Sequence, residues 1–143
     1  MSFQVDSRIQ ESSFFLVDWP LSRLFLKNNS HFPWLILVPR EKNITEIHQL
    51  SSENRRQLMD EITEASRVLQ AYFNPHKLNV GSLGNIVAQL HIHVVGRFEA
   101  DLAWPHGIWQ PLEKEQVYSP GVAAQLINDL RDVASYSNWG SGF

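Results

Sequence analysis

The chain has no cysteine. That excludes disulfides, thiolate zinc sites and cysteine nucleophiles together, and nothing in the sequence calls for an oxidising compartment. A dense Lys/Arg block is missing as well. The nearest approaches are the Arg55-Arg56 pair and the scattered Arg40 and Lys42, in a chain of net charge −3. This argues against a nucleic-acid duplex as partner, because such binding rests on many phosphate contacts. A small phosphorylated ligand needs only a local site and stays open. Long apolar runs are absent too: the longest, Phe32 to Val38, falls far short of the ~20 residues of a membrane span. The opening MSFQVDSRIQESSFF is broken by charged and polar residues where a secretory leader is continuously apolar. A cytoplasmic protein without membrane association is expected.

What is present suits one domain over residues 1–143, since 43% of the residues are hydrophobic and five are tryptophan. RLFLK (23–27) and WLILVP (34–39), separated by the turn-type cluster NNSHFP, predict an antiparallel hairpin. The run Leu35-Ile36-Leu37-Val38 predicts a strand buried on both faces. Ser51 or Ser52 then caps a long helix whose stripe is Leu58, Ile62, Ala65, Leu69 and Tyr72. Arg55, Arg56, Glu61, Glu64 and Arg67 are assigned to its polar side, and Pro75 ends it. KLNV (77–80) reads as a strand, GSLGN (81–85) as a loop and VAQLHIHVVGRF (87–98) as a longer strand. The Trp- and Pro-rich stretch from Asp101 to Tyr118 reads as an irregular covering segment. A second helix follows Pro120 with a stripe of Val122, Leu126, Leu130 and Val133, and the tail SYSNWGSGF is expected to be loose. The architecture expected is α+β: an antiparallel sheet, the long helix packed on it, and a second, C-terminal helix.

Chemistry concentrates in QLHIHVV, residues 89–95. Alternate residues of a strand face opposite sides, so Leu90, Ile92 and Val94 go to the core while Gln89, His91 and His93 share the other face. An ordinary solvent face carries Lys, Glu, Thr or Ser more often than two histidines. Three chemistries use such a pair. Two imidazoles can bind one metal ion, but Glu99, Asp101 and His106, the nearby candidates for further ligands, form no ligand motif with them. The pair can divide acid and base roles, because charging one disfavours charging the other. A neutral imidazole can also attack phosphorus or a carbonyl carbon and form a covalent intermediate. The GSLGN loop upstream favours a phosphate site, with glycines that let the backbone approach and an Asn85 amide able to donate. The remaining histidines, His31, His48 and His76, read as surface residues. His106, within WPHGIW, stands close enough in sequence to fold over the site, and Trp104 and Trp109 fit a core gap or a stacked base.

The arrangement resembles the histidine-triad (HIT) family of nucleotide hydrolases and transferases, whose signature is three histidines alternating with apolar residues. QLHIHVV fills its three slots with Gln89, His91 and His93, and LILVPR, IHQLSSENRRQLM and KLNVGSLGN precede it in the family's order. The resemblance spans roughly residues 14–105, leaving 106–143 as a C-terminal extension. It implies that His91 is the nucleophile, attacking the α-phosphorus of a small nucleotide substrate to give a nucleotidyl-histidine. It implies that His93 contacts the phosphate and helps the leaving group, with Gln89 completing the catalytic set. Asn79, Gly84 and Asn85 are implied at the phosphates, and Asn28, or its neighbour Asn29, at the ribose. No cofactor and no metal are implied, and a homodimer is. Two departures accompany the match: Gln89 replaces the first histidine and cannot take up a proton, and Asn43 stands where a further histidine is expected. A metal-dependent β-fold enzyme using His91 and His93 as ligands, and a nucleotide-binding module without turnover, are the competing readings.

Overall fold

A computed structural model describes residues 2–112, 115–135 and 139. Its centre is a five-stranded antiparallel sheet in the order β1-β2-β3-β5-β4. The strands are β1 (Ser13–Asp18), β2 (Ser22–Lys27), β3 (Trp34–Pro39), β4 (Lys77–Gly81) and β5 (Ile92–Arg97). The expected hairpin is β2–β3, with Leu24 opposite Leu37 and Leu26 opposite Leu35. Every residue of β3 is buried, which matches its unbroken apolar run and its central place in the sheet. β1 and the short helix α1 (Ser7–Glu11) were not among the expected elements. In β1 the alternation is interrupted by an irregularity between Phe15 and Val17, which weakens a period-two signal.

The long helix α2 runs Ser52–Phe73. The Ser51 hydroxyl accepts from the Asn54 N–H at 3.1 Å, and Asn74 closes the other end in the left-handed conformation at φ 51°. Leu58, Ala65 and Leu69 of the expected stripe are buried, Ile62 is half-buried and Tyr72 is exposed. Glu61 departs from its assignment to the polar side. It is fully buried and its two carboxylate oxygens accept from the Leu21 and Ser22 N–H groups, both at 2.8 Å. A carboxylate inside is stable where backbone donors of the β1–β2 turn would otherwise go unpaired. The second helix, α3 (Pro120–Ser135), buries Ala123, Leu126, Leu130 and Ala134, so its stripe starts one residue later than read, and Val122 is exposed. In the tail expected to be loose, Trp139 packs against Trp19, tilted, with ring centroids 5.3 Å apart. Residues 136–138 and 140–143 of that tail lie outside the described residues.

The sheet divides the interior in two. Leu24, Leu26, Leu35, Leu37, Ile92 and Val94 pack toward α2 and α3. On the opposite face Phe25, Trp34, Ile36, Val38 and Val95 pack with Val5 and Ile9 from the N-terminal segment and Ile108 from the irregular segment. That second face carries the histidines. The strand expected from Val87 is shorter than read: β5 begins at Ile92, and Gln89 and His91 precede it. Beyond Ile92 the neighbouring β3 ends in Pro39, β4 stops at Gly81 opposite His93, and the Leu90 N–H turns to the Ile44 carbonyl at 2.9 Å.

Candidate active site

The alternation in the motif still sorts the side chains, although only its second half is strand. Leu90, Ile92 and Val94 are core, while His91 and His93 lie side by side on the other face with ring centroids 4.9 Å apart. They are only 7% and 8% exposed, which rules out two histidines idling on a solvent face. Each ring has its Nδ1 fixed, in opposite senses. His91 Nδ1 is 2.7 Å from the Gln89 carbonyl oxygen, which only accepts, so Nδ1 carries a proton and the neutral ring has its lone pair on Nε2. His93 Nδ1 lies 2.9 Å from the indole nitrogen of Trp34, which only donates, so His93 holds its proton on Nε2. Two adjacent imidazoles are thus set as one acceptor and one donor.

Electrostatics agree with that division. Burial, then the neighbouring His91 and Lys27, push His93 down to about 3, so it is neutral at ordinary pH. Lys27, on β2, donates to the Ser12 hydroxyl at 3.0 Å and lies over the Trp34 ring, and burial holds its pKa below the usual lysine value. Trp109 covers another side of His93, with ring centroids 5.8 Å apart. It also packs on Gly81, where a Cβ would come within 3.2 Å of the indole, so a side chain there would require Trp109 to give by a few tenths of an ångström. The sequence does not single out Trp34 or Lys27 as site residues, and Gly81 enters there only as one of the two glycines of the GSLGN loop. Their approach to His93 depends on sheet register, such as Gly81 opposite His93.

Gln89 does not reach toward the imidazoles. Its Oε1 accepts from the Asp6 N–H at 2.8 Å and its Nε2 donates to the Gln4 carbonyl at 2.8 Å. The side chain therefore clips the N-terminal segment beside the motif, and Arg8 adds a bond to the Ile86 carbonyl at 3.1 Å. Only the backbone carbonyl of Gln89 addresses His91. Asn79 lies on β4 opposite Val95, and its Oδ1 accepts from Arg97 at 2.7 Å. Arg97 in turn forks onto Asp101, whose carboxylate also accepts from the N–H groups of Phe98, Ala103 and Trp104. Burial alone would raise Asp101, but the Arg97 fork and these backbone donors hold it below its ordinary value.

The other residues singled out in the sequence stand further off. Gly84 takes φ +75°, which explains a glycine in the loop leading to His91, and Asn85 beside it is exposed. The Ser82 hydroxyl in that loop donates to the His91 carbonyl at 3.0 Å and tethers the loop to the motif. Asn28 accepts from the Tyr118 N–H at 3.0 Å, and Asn29 is buried and accepts from the His31 N–H at 2.9 Å. Asn43 is exposed in a left-handed turn at φ 60°. Of the further ligands that a metal reading would need, Asp101 is committed to Arg97, Glu99 faces His76 at 3.7 Å and His106 is exposed. No group of three or more His, Asp or Glu among the described residues is placed to hold an ion.

A five-stranded antiparallel sheet with a helical layer on one face and two oriented histidines on the other defines an α+β protein of the histidine-triad class. The HIT domain profile matches residues 8–100, and the chain belongs to that family. Family members bind nucleotides and are generally nucleotide hydrolases or transferases, although some are non-catalytic. A histidine triad protein from Bradyrhizobium japonicum is 34% identical, with 94% of this chain and 99% of that one covered, at a TM-score of 0.89. One from Marinobacter aquaeolei VT8 is 32% identical over 94% and 98% of the two chains, also at 0.89. One from Sinorhizobium meliloti 1021 is 30% identical over 91% and 96%, at 0.87. A search of curated proteins finds no match. Among the described residues, no helix is long and apolar enough to cross a membrane.

Proposed function

We propose that this chain cleaves or transfers at the α-phosphate of a small nucleotidyl substrate, a dinucleoside polyphosphate or a nucleoside phosphoramidate, through a nucleotidyl-His91 intermediate. The observation that carries the reading is the bond from His91 Nδ1 to the Gln89 carbonyl. It holds the ring in one orientation with Nδ1 protonated, so that in the neutral imidazole Nε2 is the nucleophile. The Nε2 lone pair attacks phosphorus, the bond to the leaving group breaks with its electrons on that group, and water or another acceptor then takes the nucleotidyl unit and frees His91. His93, neutral and donating from Nε2, meets negative charge on the phosphate or on the departing oxygen.

Asn79 is assigned to the phosphates, since Arg97 holds its Oδ1 and its amide protons are then free to turn toward an anion. Gly84 and Asn85 supply loop backbone and an amide to the same group, and Asn28 is assigned to the nucleoside. Gln89 serves the site through its carbonyl. The chain acts as one domain, in the cytoplasm, and as a homodimer. The dimer rests on resemblance to the family alone, and light scattering on the purified protein tests it.

The decisive experiment incubates the protein with diadenosine polyphosphate, quenches it, and searches for AMP on His91 by mass spectrometry. An adduct on His91 that is absent from folded His91→Asn supports the mechanism, and so does loss of turnover in that variant. Nucleotide binding without an adduct or turnover makes the chain a non-catalytic binding module. Full turnover by His91→Asn removes the nucleophile.

A further inference from the structure

The groups beside His91 share a property that bears on which substrates the site accepts. Cleavage of a P–N bond ejects an amine, a leaving group that departs only with a proton. Cleavage of a phosphoric anhydride ejects a phosphate, which departs as an anion. A site that handles amines well therefore needs a group beside the nucleophile able to hold and release a proton. Gln89 cannot titrate, and both ends of its amide are bound to the backbone at Gln4 and Asp6. His93 is an imidazole, yet to become an acid it would have to carry a second proton on Nδ1. That nitrogen faces the Trp34 indole N–H at 2.9 Å, so protonation would set two donors head to head in a buried position. The titratable groups that act on His93 are Lys27, from β2, and His91 itself, and both oppose a positive charge on it. The two indoles that pack on its ring, Trp34 and Trp109, cannot titrate.

Building on the nucleotidyl-His91 reading, we infer that Trp34 is a positioning residue that locks His93 as a neutral donor. The lock restricts efficient turnover to phosphoric anhydrides and excludes phosphoramidates. In the favoured step the Nε2 lone pair of His91 forms the N–P bond while the P–O bond to the leaving phosphate breaks. The electron pair stays on that oxygen, which leaves as an anion under the His93 N–H and takes no proton from the protein. Water then attacks the nucleotidyl phosphorus, the N–P electrons return to Nε2, and the water's proton passes to solvent. With a phosphoramidate the same first step would place the electron pair on nitrogen, where neither Gln89 nor neutral His93 can supply the proton required, and the Asp6 carboxylate, which acts on His91, is held ionised by Arg8.

The test compares two substrates that give the same adenylyl-His91. One is diadenosine triphosphate, which releases ADP, and the other is the adenosine 5′-phosphoramidate of propylamine. The wild-type protein is expected to favour the anhydride in kcat/KM by at least ~100-fold at pH 7, the lower bound of what a positioned acid supplies. Nitrogen NMR of the wild-type histidines is expected to show His93 still neutral at about pH 5, with its proton on Nε2. Trp34→Phe keeps a ring but removes the indole N–H, and it is expected to raise the His93 titration and improve the phosphoramidate-to-anhydride ratio ~10-fold or more below pH 7. Wild-type rates for the two substrates within about threefold of each other, far below an acid's ordinary contribution, overturn the inference. So does a charged His93 at about pH 6, near its unperturbed value, or a folded Trp34→Phe protein with an unchanged ratio. Should Trp34→Phe fail to fold, the wild-type rate ratio and the NMR decide. Adenylyl-His91 formed at comparable rates from both substrates removes this inference alone. Its absence with both removes the underlying mechanism, and this inference with it.

Discussion

Replacing Gln89 by alanine separates two jobs that this position could do. The side chain makes two bonds to the N-terminal segment, to Asp6 N–H and Gln4 O, while the carbonyl that orients His91 belongs to the backbone and survives the substitution. Each bond is worth a net ~0.5–1.5 kcal/mol, so their loss weakens attachment of residues 4–6 by ~1–3 kcal/mol. The lower half of that range applies, because the side chain is only half-buried and water replaces part of what is lost. Arg8, through the Ile86 carbonyl, and the buried Val5 and Ile9 still hold the segment, so the release is local. Amide hydrogen exchange reads it directly. The Asp6 N–H is expected to exchange ~5–30-fold faster, the factor corresponding to 1–2 kcal/mol. The kcat for nucleotide cleavage is expected to hold, because His91 keeps its tautomer. Loss of turnover with Asp6 exchange unchanged would refute the reasoning, since the Gln89 amide would then act in the chemistry and not as a clip.

Three further outcomes are expected. Glu61→Gln replaces one of the two oxygens that receive the Leu21 and Ser22 N–H groups with a donor, and should cost ~1–3 kcal/mol of stability in a urea titration. Gly84→Ala puts a side chain at φ +75°, and should cost ~1–2 kcal/mol although its Cβ would meet the Val87 and Ala88 carbonyl oxygens only at ordinary contact distance; Gly84→Asn should cost less. Stability should also fall in mild acid because of His93. The unfolded chain binds a proton near pH 6.5 that the folded chain refuses until about 3. The contribution is therefore intact above pH ~6.5 and declines by ~1.4 kcal/mol per unit as the pH drops toward ~3. Urea titrations should show ~2 kcal/mol less stability at pH ~5 than at pH ~7.5, a loss that His93→Gln should largely lack. An equal loss in that variant would assign the acid sensitivity to other groups.

The sequence made legible whatever depends on local period. The β2–β3 hairpin, the Ser51 cap, the α2 stripe and the sorting of Leu90, Ile92 and Val94 from His91 and His93 all follow from spacings of two or of three to four residues. Glu61 escapes such a pattern for the same reason. A helical pattern treats a carboxylate as surface, and its partners, Leu21 and Ser22, lie some forty residues away. Alternation places the start of β5 too early, because it persists through Gln89 and His91 while the ladder stops at Ile92. The long-range contacts of the site left no local mark. Trp34 looked like one more apolar residue of a buried strand, and only sheet register brings its indole to His93. The N-terminal segment carried no periodic signal, and a glutamine far along the chain holds it in place.

The three slots of the motif are alike in pattern, and it is their partners that separate them. A strand gives alternate residues a common direction but not a common environment. Gln89 stands before the strand begins and is taken by the N-terminal backbone. His91 stands just ahead of the strand, where the backbone carbonyl two residues earlier reaches its ring. His93 stands inside the sheet, where a neighbouring strand supplies an indole. On the proposed mechanism, a histidine at the first slot would add a titratable group but could not serve the Gln4 carbonyl and the Asp6 N–H as an extended amide does. Glutamine there exchanges a possible proton relay for a fixed wall beside the nucleophile. That exchange is consistent with a reaction whose leaving group needs no proton, and it would be costly in one whose leaving group does.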